Sequence, residues 1–600
     1  NAANIATLTL GGTAGVTSAL GNTLDNIFNA RNTFTDTGLN GKGGSDKYYL
    51  DATDTVSASV AEGAGDTVYV AANYDMSTNA ANVSNLTIEG ASTVNKGNAQ
   101  ANIIDSRNGA TNADIQGLGG DDIYIIDATG DTVTEALSAG NDTVKIIGSY
   151  TLGANIESLI LEGSGNYSGT GNASANTLTG NSGDNTLFGG GGTDTFNGGT
   201  GNDVFYVDSA DDVVSELSGE GNDTVFTSVS YTLTDVDVEN ITLSGGAAGL
   251  VATGNTSNNV LDGSVSAFAD TLKGGLGDDI YYAGSGDVVD EAGGGGVDTL
   301  IINYDTSYTL AAGAAIENII LGEIAINRSA SGNELANFLQ GNATDNTLVG
   351  GDGDDTLDGM GGNDSLVGGL GNDAFFVDNG SDSVSENLNE GQDTVYSQAA
   401  NYTLPANIEN LYLVGLGAIN GAGNSDNNQI VGNAGANNIS GGGGNDVYNG
   451  MQGSDTIVGG TGNSTYLYAR GDGADTVTDT GGTDAINFGA DISLTQLWFN
   501  ASGNDLVIWL VGTAADVSPN ADAIATATEK LIIKDWYLSP TNNQIELFTT
   551  ADGYSLTNTN VALLVTAMST MTPPSFGYTD VPPEYYDALE SVYYAAWQSS

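Results

Sequence analysis

The sequence predicts an all-β chain, a parallel β-solenoid with little helix. Two recurring phrases predict it, and the glycine content agrees. The first phrase is a nonapeptide. It reads GNELANFLQ, GNATDNTLV, GGDGDDTLD, GMGGNDSLV, GGLGNDAFF over 332–376, and GNASANTLT, GNSGDNTLF, GGGGTDTFN, GGTGNDVFY over 171–206. The consensus is GGxGxDxUx, where U is a large apolar residue. A glycine-rich turn ends in Asp and a short strand follows. The second phrase lies between the clusters. It reads VDSADDVVSE, GNDTV, YTL and ENITLSG over 207–245, with copies over 126–163 and 377–415. There Val, Ile, Leu and Tyr alternate with small polar residues between Gly, Asn and Asp, the pattern of short strands. A degraded copy places GDTV at Gly65 and NLTIEG at Asn85. The chain holds 88 glycines. Combined with a fixed period, that points to tight turns.

The nonapeptides fall into six arrays, near 21–51, 97–127, 171–208, 254–282, 332–378 and 423–468. Rungs of roughly 18 to 20 residues would fill the intervals. A solenoid grows by adding rungs, so chain length does not set a domain count. No Pro-rich or Ser-rich linker separates the arrays, which favours one nearly continuous solenoid over six small domains. The expected organisation is a solenoid over 1–463, its continuation and a small β-rich cap over 464–555, and a helical tail over 556–600.

Charge narrows the function. There are 75 acidic residues against 11 basic ones, a formal net charge of −64. Such a surface repels nucleic acid and anionic membrane. It also strains a compact state unless cations neutralise it. Cysteine and histidine are absent. Disulfides, thiolate metal sites, Ser-His-Asp triads and His-based zinc sites are therefore excluded. No run of eighteen apolar residues marks a membrane span. The chain opens mid-pattern at Asn1, without an initiator Met or signal peptide, which points to a processed or trimmed N-terminus. Carboxylate pairs abound, but no nucleophile has an activating base. The chain is expected not to be an enzyme.

The turn chemistry points to a ligand. Gly at positions one, two and four is expected to let the backbone take φ > 0 and bare its carbonyl oxygens. Asp at position six adds a carboxylate. Ca²⁺ takes six to eight hard oxygens at about 2.3 to 2.6 Å. One turn cannot supply them. Two consecutive nonapeptides make one flattened coil, so a Ca²⁺ between stacked turns takes oxygens from both. A lone GxGxD is equally an Asx turn; consecutive turns at strict period favour Ca²⁺.

In these details the chain resembles the RTX (repeats-in-toxin) haemolysin-type β-roll. The resemblance implies several Ca²⁺ ions. Their carboxylates would come from Asp46, Asp122, Asp194, Asp203, Asp279, Asp355, Asp364, Asp373, Asp446 and Asp455. The carbonyls would come from Gly189, Gly192, Gly198, Gly201, Gly350, Gly353, Gly359, Gly362, Gly368, Gly371, Gly441 and Gly444. It further implies that Asp355 and Asp373 share an ion. By the same rule Asp364 faces the turn of Asn346, Asp194 faces Asn176, Asp203 faces Asn185, Asp455 faces Asn437 and Asp446 faces Ser464. Position eight would supply the core, with Leu187, Phe196 and Phe205, or Leu348, Leu357, Leu366 and Phe375. Turns with Asn at position six, such as Asn176, Asn337 and Asn428, should bind weakly or stack through their amides. Arrays one, two and four carry a longer turn, as after Ser106 and before Lys273. Those turns should bulge and weaken neighbouring sites, leaving arrays three, five and six the strongest. In the linking phrases Asp131, Asp142, Asp212, Asp223, Asp382 and Asp393 are candidates too, with a plain strand-end turn the favoured reading.

Past Ser464 the nonapeptides fade. Residues 470–489 still read as solenoid. Aromatic-rich strands follow near Leu497, Asn504, Leu531 and Gln544, and Trp498, Trp509, Trp536 and Tyr537 are expected to cover the last rung. Asn560 is placed as N-cap of a helix over 561–568. Pro583 is placed at the start of a last helix with Tyr586, Leu589, Tyr593 and Trp597 on one face. This tail reads as an export signal or as a docking arm for the solenoid or a neighbouring subunit.

The resemblance to the RTX group implies type I export from a Gram-negative cell and folding on Ca²⁺ outside it, so an extracellular or cell-surface location is expected. The expected function is that of a secreted Ca²⁺-binding structural protein. It would self-assemble as a homo-oligomer or polymer into a surface layer, filament or matrix. An adhesin for glycans, host surfaces or cell-surface polysaccharide, and the carrier tail of a secreted enzyme, stand as alternatives.

Overall fold

The computed structural model describes residues 6–11, 15–32, 34–57, 65–108, 114–127, 130–291, 293–303, 307–323, 328–511, 529–539, 543–571 and 583–599. The middle of the long turn after Ser106 and most of the proline stretch after Pro573 lie outside them, as does the side chain of Tyr586.

Two compact units, Asn1–Asp298 and Thr299–Ser600, each carry the parallel β-solenoid that the sequence predicts. In the first unit a twelve-stranded sheet begins at Thr7–Thr9 and ends at Val213–Val214. Successive strands alternate between two sheets. Val94–Lys96 and Asp114–Gln116 pair in one sheet, while Ile103–Asp105 and Ile123–Ile126 pair in the other. In the second unit Ser329–Ser331, Thr347–Asp352 and Ser365–Leu370 pair in one sheet. Phe338–Gln340, Thr356–Asp358 and Ala374–Val377 pair in the other. Every pairing along these stacks is parallel, as a coil that always winds the same way requires.

The strands are short because each supplies only one or two inward side chains. In a three-residue strand only the middle residue faces the core. Leu187 pairs with Phe205 and Leu348 with Leu366, one rung apart. Leu187, Phe196, Phe205, Leu348, Leu357, Leu366 and Phe375 are all fully buried. Burying such a side chain stabilises by roughly 1.5 to 3 kcal/mol. The core is thus one or two apolar side chains wide per strand, and the turns beside it are acidic.

Cross-rung bonds span 18 residues in arrays three and five and 20 in array two. The longer turn of array four bulges as expected, and the stack closes beneath it. Its extra residues bulge outward between Gly263 and Asp270, and Asp270 returns to the buried line, accepting from the Leu250 N–H at 2.8 Å.

Among the described residues, helix is confined to α1 (Met76–Asn79), α2 (Asn558–Met568), α3 (Pro583–Ala596) and a 3₁₀ turn at Leu494–Gln496. The cap begins where pairing turns antiparallel. Leu497–Ser502, Asp505–Leu510 and Lys530–Ile533 form an antiparallel group on one wall. Leu547–Thr549, Tyr554–Thr557 and Trp597–Ser599 do the same on the other. Trp498 and Trp536 are buried there. Tyr537 is 42% exposed and Trp509 lies half-buried under Lys530, so neither seals the last rung as expected. The first cap helix starts earlier than Asn560 suggests. Its N-cap is Thr557, and Asn560 Nδ2 instead donates to the Ala596 carbonyl at 2.8 Å, tying α2 to α3. Leu589 and Tyr593 face inward on α3, but Trp597 belongs to the closing strand. The tail therefore docks on its own cap, with the Tyr593 hydroxyl donating to the Leu497 carbonyl.

Candidate metal centre

Position six ends each turn, and its side chain folds back over position one. A Cβ on Gly189, Gly198, Gly350, Gly359, Gly368 or Gly441 would sit within 3 Å of Oδ2 of Asp194, Asp203, Asp355, Asp364, Asp373 or Asp446 respectively. The position-one glycines of arrays two and four, Gly117 and Gly274, are in the same relation to Asp122 and Asp279, and Gly41 to Asp46. This corrects the conformational reading of position one. Positive φ occurs at positions two and four, as at Gly190 (98°), Gly192 (120°), Gly201 (120°), Gly353 (107°), Gly362 (145°), Gly371 (137°) and Gly444 (93°). Position one is glycine because a carboxylate occupies the space of its side chain.

Carbonyls project between the rungs. The oxygens of Gly189, Gly198, Gly350, Gly359 and Gly441 crowd the position-one glycine of the preceding rung, and that of Gly368 crowds Gly350. The oxygens of Gly201, Gly353, Gly371 and Gly444 crowd a glycine of the following rung.

The carboxylates form ladders. The Asn337 N–H donates to Asp355 Oδ1, the Asp355 N–H to Asp373, the Asp373 N–H to Asp393 and the Asp393 N–H to Glu409, at 2.7 to 2.9 Å. A parallel line runs from Asn346 to Asp364 to Asp382. Array three repeats both lines, with Asn185, Asp203, Asp223 and Glu239, and with Asn176, Asp194 and Asp212. In array six Asn437 donates to Asp455, Asn428 to Asp446 and Ser464 to Asp484. The Ser464 turn follows that of Asp446 by one rung, through the Thr465 N–H to the Asp446 carbonyl at 2.8 Å. Arrays one, two and four run from Asn26 to Asp46, from Asn102 to Asp122 to Asp142, and from Asn259 to Asp279. The linking-phrase aspartates 142, 212, 223, 382 and 393 are thus rungs of the ladders rather than plain turn ends. Asp131 sits apart, accepting from Ser106 Oγ at 2.6 Å.

Each ladder bond to an aspartate uses Oδ1. Oδ2 of Asp122, Asp194, Asp203, Asp279, Asp355, Asp364, Asp373 and Asp455 is buried and accepts no hydrogen bond. An ionised oxygen without a partner away from water costs several kcal/mol. Burial, reinforced by the Asp373 charge and opposed by the Asn337 N–H, pushes Asp355 up to about 7. Burial lifts Asp364 and Asp203 to about 6, and Asp122 to about 8. Orphaned carboxylate oxygens facing bared carbonyls between stacked turns are the donor set of a hard cation. The residues fit Ca²⁺. When bound, the ion supplies the positive charge that lets these aspartates stay ionised.

Three position-six asparagines, Asn176, Asn337 and Asn428, are satisfied without a cation. Asn176 Oδ1 accepts from the Asn172 N–H at 2.7 Å, and its Nδ2 donates to the Ile156 carbonyl at 2.8 Å. Asn337 and Asn428 do the same. Each of these amides carries the ladder without adding charge.

Four glutamates escape a reading of the nonapeptides alone. Glu135, Glu216, Glu291 and Glu386 end the VTE, VSE, VDE and VSE steps of the linking phrases. Each accepts from the position-one glycine N–H of the last nonapeptide, Gly117, Gly198, Gly274 and Gly368, at 2.5 to 2.7 Å. Their regular recurrence was the available signal.

The family model of RTX calcium-binding nonapeptide repeats matches residues 170–205, 253–289, 331–366, 340–375, 349–384, 422–457 and 449–465. That of the haemolysin-type calcium-binding protein related domain matches 523–560, in the cap. No curated protein matches the chain. Ladder geometry and family match agree: the chain carries RTX calcium-binding nonapeptide repeats, which bind several Ca²⁺ ions, and a haemolysin-type calcium-binding related domain.

Proposed function

We propose that the protein is secreted, folds on Ca²⁺ outside the cell, and serves there as a non-catalytic structural subunit that assembles into a layer, filament or matrix. The observation that carries this reading is the buried ladder of half-satisfied carboxylates. It makes the solenoid dependent on a cation that is scarce inside cells and abundant outside. A chain unable to close its rungs before export suits a pathway that carries unfolded polypeptide. Without histidine or cysteine, and with its buried carboxylates committed to ladders, the solenoid is scaffold and not catalyst. No helix among the described residues is long and apolar enough to cross a membrane.

The test is assembly of the full chain in millimolar Ca²⁺, followed by light scattering and electron microscopy. Ordered polymers that dissolve in EGTA support the proposal. A chain that stays monomeric at every Ca²⁺ concentration, or polymers untouched by EGTA, would overturn it. Glycan binding by a stable monomer would favour the adhesin instead.

A further inference from the structure

The last turn of an array differs from those inside it. In array two Asp122, Glu135 and Asp142 each bring a carboxylate oxygen within 4.8 Å of the other two. Asp122 and Asp142 are fully buried and Glu135 is 6% exposed. One oxygen of each is held in place. Asp122 Oδ1 accepts from the Asn102 N–H at 2.6 Å and Asp142 Oδ1 from the Asp122 N–H at 2.8 Å. Glu135 Oε1 accepts from the Gly117 N–H at 2.7 Å and from the Tyr124 hydroxyl. What remains is a pair of buried oxygens, Oδ2 of Asp122 and of Asp142, with no hydrogen-bond partner.

Buried carboxylate oxygens without a partner also gather at the ends of other arrays. In array three Oδ2 of Asp203, Oε2 of Glu216 and Oδ2 of Asp223 are all buried without a partner, on side chains no more than 4% exposed. In array four the same holds for Asp279 Oδ2 and Glu291 Oε2, and in array five Glu386 is held by the Gly368 N–H beside the orphaned Asp373 Oδ2. None of Glu135, Glu216, Glu291 and Glu386 falls within a stretch matched by the nonapeptide family model. The nonapeptide consensus therefore does not account for these carboxylates. Three negative charges closed off from water are strongly unfavourable without a counter-charge.

We propose that the last turn of an array holds a further divalent-cation site built from three carboxylates, Asp122, Glu135 and Asp142 in array two and Asp203, Glu216 and Asp223 in array three. The all-oxygen, multiply anionic donor set selects Ca²⁺, and a trivalent lanthanide in its place. Such a site welds the array to the linking rungs that follow it, because its Glu and second Asp come from the linking phrase. With three charged ligands it binds more tightly than the turns inside an array. It is independent of whether the chain assembles.

Two measurements on the full chain test it. Crystals grown with Tb³⁺ should show an anomalous peak among the carboxylates of Asp122, Glu135 and Asp142, and another among those of Asp203, Glu216 and Asp223. Peaks between nonapeptide turns but none at these triads would overturn the proposal while leaving nonapeptide binding intact. In solution, Glu135→Gln and Glu216→Gln keep the acceptor for the glycine N–H and remove only the charge. Equilibrium dialysis should find each variant one tightly held Ca²⁺ short of the parent, with the exposed Asp211→Asn unchanged. An unchanged count and affinity in both Gln variants would overturn it. Should a variant fail to fold, the anomalous map of the unaltered protein decides.

Discussion

The N–H of Asp355 donates to Oδ1 of Asp373 at 2.7 Å, one rung further along the coil. The bond sets two carboxylates in register and leaves Oδ2 of both buried and unmatched. Two like charges 4 Å apart repel by about 1 kcal/mol in water and by more where solvent is excluded. The same contact that aligns the rungs thus pushes them apart until a cation enters.

Acidity should therefore substitute in part for calcium. Burial, aided by neighbouring carboxylates, lifts Asp355, Asp279 and Asp455 to about 7 and Asp194, Asp203 and Asp364 to about 6. These folded-state values lie above the unfolded value of about 3.9. For a raised group, the stabilising contribution is complete below the unfolded value and is lost as pH rises through the folded one. The metal-free chain should keep most β structure near pH 4 and lose it progressively between about pH 4 and 7, as read by far-UV circular dichroism in EGTA. Calcium affinity should move the opposite way, weakening as pH falls through the same window because protons compete for the carboxylates. Metal-free β structure that grows steadily from pH 5 to 8 would contradict this.

Glycine at position one should tolerate no side chain. Gly359→Ala puts a Cβ within 3 Å of Asp364 Oδ2, Cγ and Cβ. Overpacking of this kind costs about 1 to 3 kcal/mol. It also displaces a ligand, so both the melting temperature and the calcium midpoint should worsen. At position two the reverse holds. Met360 takes φ 63° with its side chain 45% exposed. Met360→Gly relieves the left-handed strain of a bulky residue, worth about 1 kcal/mol and partly offset by the entropy of the unfolded chain. A small rise in melting temperature is expected.

Charge and packing are separable at adjacent positions. Asp364→Asn keeps an acceptor for the Asn346 N–H but removes the charge facing the cation. The calcium midpoint should rise on the order of tenfold, with little change in the calcium-saturated melting temperature. Leu366→Ala removes a fully buried core side chain two residues away, at about 2 to 5 kcal/mol. Its melting temperature should fall even at saturating calcium. Equal effects of both variants on both readouts would refute the division of labour.

The tail should behave as part of the cap. Trp597 is buried, its ring 6.4 Å from that of Phe499, and its strand pairs with Tyr554–Thr557. Trp597→Ala should cost about 3 to 5 kcal/mol locally. Hydrogen exchange should quicken across 497–510 and 554–568 and stay unchanged in array three.

Much of this was legible because a nine-residue period is a local signal. It named the strand residues, the inward leucines and phenylalanines and the position-six aspartates without knowledge of distant contacts. What escaped the sequence depends on contacts between rungs. Position-one glycines looked conformational, since the carboxylate that fills their Cβ space is visible only once Asp364 is seen folded over Gly359. Glu135 and Glu216 escaped notice because their partners, Gly117 and Gly198, lie a full rung earlier. In the cap, Asn560 resembled an N-cap until its amide was found bound to Ala596.

The central claim is that cations between acidic turns, more than the narrow apolar core, hold the coil shut. The most direct measurement is a calcium titration of the metal-free full chain at pH 7.5, followed by far-UV circular dichroism. A cooperative change from a disordered to a β spectrum, with several ions bound per chain, is the predicted result. A β spectrum and a sharp thermal transition already present in excess EGTA, and indifferent to added calcium, would contradict it.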